Sequence, residues 1–155
     1  MRVLICGLNP SLVAADAGVG FAGPTNRFWP AALQAGLVTT ARDPRHALAE
    51  DRVGMTDLVK RATTGTKALA GAEYVAGAER VRRLVRWLRP AVVVFVGLEG
   101  WRAALDRRAR PGVQGGGFGG SPAYVMPSTS GLNAHVRLAD LVAHLHAALG
   151  LADEG

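Results

Sequence analysis

Short apolar runs alternate along the chain with longer segments in which apolar residues recur every three or four positions. Val3, Leu4 and Ile5 lie in a run over residues 2–6 that predicts a strand. Residues 91–97, AVVVFVG, are a continuous β-branched run of the kind covered on both faces of a parallel sheet. AYVMP, 123–127, predicts another short strand. Between the runs the period lengthens. Over residues 71–88, Val81, Leu84, Val85 and Leu88 fall at i, i+3, i+4 and i+7, with Arg80, Arg82, Arg83, Arg86 and Arg89 largely around the other faces. That is an amphipathic helix, and Pro90 ends it. Leu138, Leu141, Val142 and Leu145 repeat the spacing over residues 136–149, leaving 151–155 as a frayed tail. Shorter helices are expected over residues 26–35, closed by Gly36, from Asp43-Pro44 to about Glu50, and over 98–108. The glycine-rich stretch 112–120 must be loop or hairpin. Strands alternating with helices predict a three-layer α/β sandwich with a mainly parallel central sheet.

Composition narrows this picture. The 155 residues, 49% of them hydrophobic and 19% charged, carry no linker, charge block or repeat, so one domain over 1–150 with a short tail is the expectation. No apolar stretch approaches the ~18 residues of a membrane span. The run after Arg2 is too short for a signal peptide and is interrupted by Asn9-Pro10. Cys6 is the only cysteine, which precludes an intrachain disulfide and agrees with a reducing cytoplasm. Its place in a strand predicts a buried, inert thiol. The net charge of +6 is carried almost wholly by arginine and favours phosphate-bearing partners.

Several chemistries fail on position. GVGFAG (18–23) and GGGFGG (115–120) match the dinucleotide fingerprint, but the first lies well past its strand and is followed by Pro24, and the second leads into a strand. Neither opens a helix that would hold a pyrophosphate. His135, His144 and His146 lack a Cys or carboxylate cluster at ligand spacing, and Asp140 with His144 reads as a surface pair, so no metal site is expected. No serine nucleophile elbow is present.

What remains is three loops. GLNPS (7–11), with GFAGPTNRFW (20–29) just downstream, is the first; GMTDLVKR (54–61) is the second; MPSTSGLNAH (126–135) is the third. Pro10 biases Asn9 towards extended geometry at the carboxyl end of the first strand, where open α/β sheets bind ligands. Together and in this order the loops resemble the mismatch-specific uracil/thymine-DNA glycosylases of the uracil-DNA glycosylase superfamily, from Val3 to about Leu149.

The resemblance implies that Asn9 is the catalytic asparagine, Phe21 the ring that stacks on the extruded base, and Leu132 the wedge that enters the duplex behind it. Leu8, Ser11, Asp57 and Ser128 would complete the base pocket, and Ser130, Gly131 and Asn133 would flank the wedge and contact phosphates. Arg27, Phe28 and Trp29 match the family pattern but read as structural. The fast uracil-specific branch has an aspartate and a histidine where this chain has Asn9 and Ser128, so no imidazole would stabilise a departing uracil anion. Ser11 leaves more room beside C5 of a pyrimidine than that branch's bulky aromatic, although relatives that accept thymine usually have glycine there. Asp57 stands where relatives mostly carry an amide or lysine; a charge braced against Lys60 or Arg61 is the alternative role. The implied activity is a monofunctional, cofactor-free, cytoplasmic glycosylase of base excision repair. Acting as a monomer, it would flip and excise uracil from mispaired double-stranded DNA, with thymine and other modified pyrimidines as further candidates. Two alternatives stay open from the residues alone: a non-excising module that binds damaged bases, and a nucleotide or nucleoside hydrolase on the same fold.

Overall fold

A computed structural model describes residues 1–155. Five strands form one sheet: β1 (Val3–Gly7), β2 (Val53–Asp57), β3 (Val92–Val96), β4 (Gly112–Phe118) and β5 (Ser121–Met126), in the order β2-β1-β3-β5-β4. All pairings are parallel except β4 with β5, an antiparallel hairpin at the edge. The order reverses at β1, since β2 lies on one side of it and β3 on the other. Such a reversal splays the connections apart and leaves a crevice at the carboxyl ends of the strands.

Alternation along the strands divides the core. Val3, Ile5, Val92, Val94, Val96, Tyr124 and Met126 face α2 (Phe28–Gln34), α3 (Pro44–Ala49) and α6 (Leu138–Glu154). Leu4, Cys6, Val93, Phe95, Ala123 and Val125 face α4 (Gly71–Leu88) and α5 (Leu98–Ala104). Because β1 and β3 are buried on both faces, their sequences show no polar alternation, which is the signature of a covered parallel sheet. The three-layer α/β arrangement is therefore the one the chain's periodicity predicts. Cys6 is buried in the second core cluster, and burial pushes its thiol pKa far up.

The local devices are as expected at two helix ends. Asp43 accepts from the His46 N–H at 3.0 Å and Pro44 occupies the first turn of α3. Arg89, with φ +48°, turns the chain out of α4 before Pro90.

Other expectations need correction. Residues 54–57 are not loop but most of β2; the segment is too short and mixed to announce itself, and its partner β1 supplies the missing hydrogen bonds. A short helix, α1 (Leu12–Ala17), follows the first motif, with Ser11 as its N-cap. The helix expected over 98–108 stops at Ala104, where Leu105 and Asp106 both donate to the Trp101 carbonyl. The glycine-rich stretch, by contrast, is the hairpin of the two forms expected, made of strand β4 and the turn into β5; Gly119 takes φ +61° and packs so closely on Val85 that a Cβ would lie 2.9 Å from it. The last residues are not frayed, for α6 runs to Glu154 and Ala152 is buried in the core. His144 is not half of a surface ion pair: its Nδ1 meets the Tyr124 hydroxyl at 2.7 Å, while Asp140 caps α6 at the Arg137 N–H.

Candidate functional site

A cleft of about 530 Å³ opens at the carboxyl ends of β1, β2, β3 and β5. Every residue assigned above to base pocket, wedge and phosphate contacts borders it, although these residues come from three distant segments. The sheet order brings them together: Leu8 and Asn9 leave β1, Asp57 ends β2, and Ser128 follows β5. Beyond the strands, the Leu58 and Val59 N–H groups donate to the Gly7 and Leu8 carbonyls at 2.8 Å, tying the first loop to the second.

Asn9 is oriented from below. Its Nδ2 donates to the Arg61 carbonyl at 2.9 Å and to Thr63 Oγ1 at 2.8 Å. A carbonyl can only accept, and the Thr63 hydroxyl already donates to the Gly65 carbonyl at 2.8 Å. Both partners therefore require the amide nitrogen on that side. Oδ1 accepts nothing from the protein and is the acceptor left for the cleft. The segment holding Asn9 is itself anchored, since the Arg61 guanidinium forms a two-pronged pair with Glu73 at 2.9 and 3.0 Å. That hydrogen bond, with the Ala70 N–H, holds the Glu73 carboxyl down to about 2.

Phe21 takes φ +57°, a conformation that costs an aromatic residue about 1–2 kcal/mol. Two contacts maintain it. Its ring stacks on Phe28 with centroids 4.3 Å apart, and its edge lies over Gly7, where a Cβ would come within 3.3 Å of Cζ. The same vacant Cβ position lies 2.5 Å from Asp57 Oδ1, so only glycine at residue 7 lets the ring and the carboxylate meet over the end of β1. Leu8 packs under α5, 3.3 Å from where a Cβ on Gly97 would lie.

Asp57 is not braced as an ion pair. Lys60 donates instead to Thr56 Oγ1 at 3.0 Å, Arg61 is taken by Glu73, and Arg80 donates to the Asp57 main-chain carbonyl, not to its carboxylate. Burial pushes the Asp57 carboxyl pKa above its ordinary range, and the charges of Lys60 and Arg80 only partly offset this. Ser11 borders the cleft with one Oγ lone pair taken by the Ala14 N–H at 3.1 Å as the cap of α1, which leaves its hydroxyl proton to donate.

The third loop is built from serine turns. Ser128 Oγ accepts the Ser130 N–H and Ser130 Oγ accepts the Leu132 N–H, both at 3.2 Å, while Asn133 Nδ2 closes on the Ser128 carbonyl at 3.1 Å. Each serine keeps a hydroxyl proton to donate outward. Leu132 at the tip is 95% exposed, an apolar side chain that its own domain does not cover.

One contributor escaped the sequence reading, and another was named there without its partners. Thr63, which orients Asn9, lies 54 residues away in a stretch with no periodicity, and nothing in the sequence marks it. Arg27, read as structural, reaches the third loop: its guanidinium donates to the Ser130 carbonyl at 3.1 Å, the Asn133 carbonyl at 3.0 Å and the Val136 carbonyl. Its place in the NRFW segment was the available signal.

Compared with known protein families, residues 1–149 match the model of the Uracil DNA glycosylase superfamily.

Proposed function

The chain belongs to the uracil DNA glycosylase superfamily and so to the DNA glycosylases in general, and on that premise we propose that it is a monofunctional glycosylase that excises uracil from mispaired duplex DNA. The observation that carries this reading is the convergence on one cleft of an asparagine with its carbonyl oxygen free, an aromatic ring held in a strained backbone conformation, and an exposed leucine at a loop tip.

The chemistry follows from what each group can do. Hydrolysis forms a bond between a water oxygen and C1′ of the sugar and breaks the C1′–N1 bond, whose electron pair leaves with the base; the water's proton passes to solvent. Asn9 Oδ1 is too weak a base to take that proton at neutral pH. Its contribution is to accept a hydrogen bond from the water and hold it in line, a positioning effect. Phe21 supplies the face on which the flipped pyrimidine stacks, and Ser128 supplies a hydroxyl donor at the cleft wall. No imidazole borders the cleft, so the departing anion depends on neutral donors, and slow turnover is expected.

Extrusion has to precede this chemistry and costs a few kcal/mol, least at a mispair, which gives a physical reason for mismatch preference. Leu132 would occupy the space that the base leaves. In this reading one domain acts as a monomer in the cytoplasm, without metal or cofactor, and leaves an abasic site for base excision repair.

The test uses end-labelled G·U, A·U and G·T duplexes and single-stranded uracil DNA side by side, followed by alkali. Strand cleavage at uracil, strongest for G·U, is the expected result. A mobility shift with no alkali-labile site would make the protein a binding module. Release of uracil from free deoxyuridine nucleotides, with none from DNA, would make it a nucleotide hydrolase.

A further inference from the structure

Arg27 is the partly buried hub of the segment that separates the stacking ring from the wedge. Its fork meets three main-chain carbonyls of one loop: Ser130 at 3.1 Å, Asn133 at 3.0 Å, and Val136. The arginine's own N–H donates to the Thr129 carbonyl at 3.0 Å. On one side, Asn26 Oδ1 takes both the Thr129 hydroxyl and the Phe28 N–H at 2.9 Å. Beyond it, Thr25 lies so close to Gly131 that a Cβ there would come within 2.6 Å of the threonine side chain. On the other side, Phe28 carries the stacked Phe21 ring.

Residues 25–28 thus form a bracket whose outer end grips the wedge loop and whose inner end supports the base platform. Arg27 Nε is buried without an acceptor. A buried unpartnered donor is unfavourable, and the orientation is kept because the two terminal nitrogens of the planar fork serve three carbonyls at once. The carbonyls flank Leu132, whose side chain is exposed and whose main chain is otherwise held only from within the loop, by Ser130 Oγ on its N–H and the Ala134 N–H on its carbonyl. A loop held only by its own short turns is tied to the rest of the domain at few points, and an exposed leucine on it would lose part of its wedging effect to the entropy of ordering the loop on entry.

We infer that Arg27 is a positioning residue that pre-organises the Leu132 loop for entry into the duplex and couples that loop to the Phe21 platform, a role that rests on the glycosylase reading of the cleft. Arg27 does not line the cleft. It acts through Leu132, and a residue that acts through another shows it in a double-mutant cycle.

The experiment compares wild type, Arg27→Lys, Leu132→Ala and the double variant. The probe is a G·U duplex with 2-aminopurine beside the mispair, whose fluorescence rises when the stack opens and needs no excision. Single-turnover excision and thermal melting are followed in parallel. Lysine keeps the charge but not the fork, so Arg27→Lys is expected to lower the equilibrium for stack opening about tenfold in the wild-type background. In the Leu132→Ala background the same change should alter it less than about twofold, since there is no wedge left to position. A merely structural role predicts the same factor in both backgrounds, together with a lowered melting temperature, and that result overturns the proposal. No fluorescence rise with wild type overturns it as well, because the loop then does not enter DNA. Opening that follows the expected cycle without any excision would leave the clamp standing and refute the glycosylase reading.

Discussion

Replacing Leu132 with alanine separates folding from base extrusion. The side chain is 95% exposed, so the free protein has almost no apolar contact to lose, and the loop's serine turns use the main chain, which the substitution leaves intact. The melting temperature should stay within a degree or so of wild type, in keeping with the small effects usual at exposed sites. In the flipped complex the accounting differs. Leucine to alanine removes three carbons, and at about 0.8 kcal/mol per buried carbon the fully enclosed wedge loses about 2.4 kcal/mol. That corresponds to roughly 60-fold in the rate of a reaction that must pass through the flipped state. The assay is single-turnover excision of uracil from A·U, G·U and single-stranded substrates, with retention on undamaged duplex measured beside it. A·U should suffer most, because the intact pair resists extrusion. G·U should suffer less, and single strands least, since no stack has to be held open. Retention on undamaged duplex rests on arginines and salt and should barely change. A uniform rate loss on all three substrates with a lowered melting temperature would refute the reasoning and make Leu132 a packing residue.

Asn9→Ala is expected to lower the single-turnover rate by about 10² to 10⁴ while DNA affinity stays near wild type, because the amide acts on a water and not on phosphate; near-normal turnover would remove Asn9 from the reaction. Ser11→Tyr should abolish any activity on thymine or 5-substituted pyrimidines and spare some uracil activity, while loss of the α1 cap lowers stability by about 1 kcal/mol; equal loss on both bases would show that residue 11 does not face C5. For Asp57, the folded-state pKa lies above the unfolded one, so the fold binds more protons than the unfolded chain between the two values. Stability is therefore highest below the ordinary carboxylate range and falls as pH rises through the raised pKa. Asp57→Asn should be more stable than wild type at neutral pH and lose that part of the pH dependence in thermal melts. If the carboxylate also opposes the departing base anion, the same variant should excise uracil faster at neutral pH than wild type, with no difference at pH values where Asp57 is protonated.

Much of this protein was legible in the order of its residues because the cues are local. The run AVVVFVG had to be a covered strand, since no amphipathic surface can be drawn from it, and it became β3 with every residue buried. The arginine-rich segment had to be a helix ending before Pro90, and α4 has those bounds. Asp43-Pro44 announced a helix start through a cap and a fixed φ, interactions within one turn of chain. By contrast β2, at the edge, is a strand only because β1 pairs with it, and its five mixed residues carry no period of their own.

The site divides in the same way. Asn9, Phe21 and Leu132 could be singled out because the three motifs in order resemble those of a known family; Asn9 before a proline at a strand end and Leu132 in a polar loop also carry a local signal, whereas Phe21 does not. How each is held was decided by the fold. That the Asn9 amide turns its nitrogen inward depends on Arg61 and Thr63, carried to it by the parallel pairing of β1 with β2. That Asp57 stands unpaired depends on Glu73 and Thr56 taking the two cations nearest it in sequence. That Arg27 grips the loop of Leu132 depends on residues more than a hundred positions apart meeting where β5 delivers that loop to the start of α2. Sequence order sets which groups exist and their local conformational bias. Which donor meets which acceptor is a long-range pairing, settled only when the sheet order closes those separations and burial makes every unpaired polar group costly.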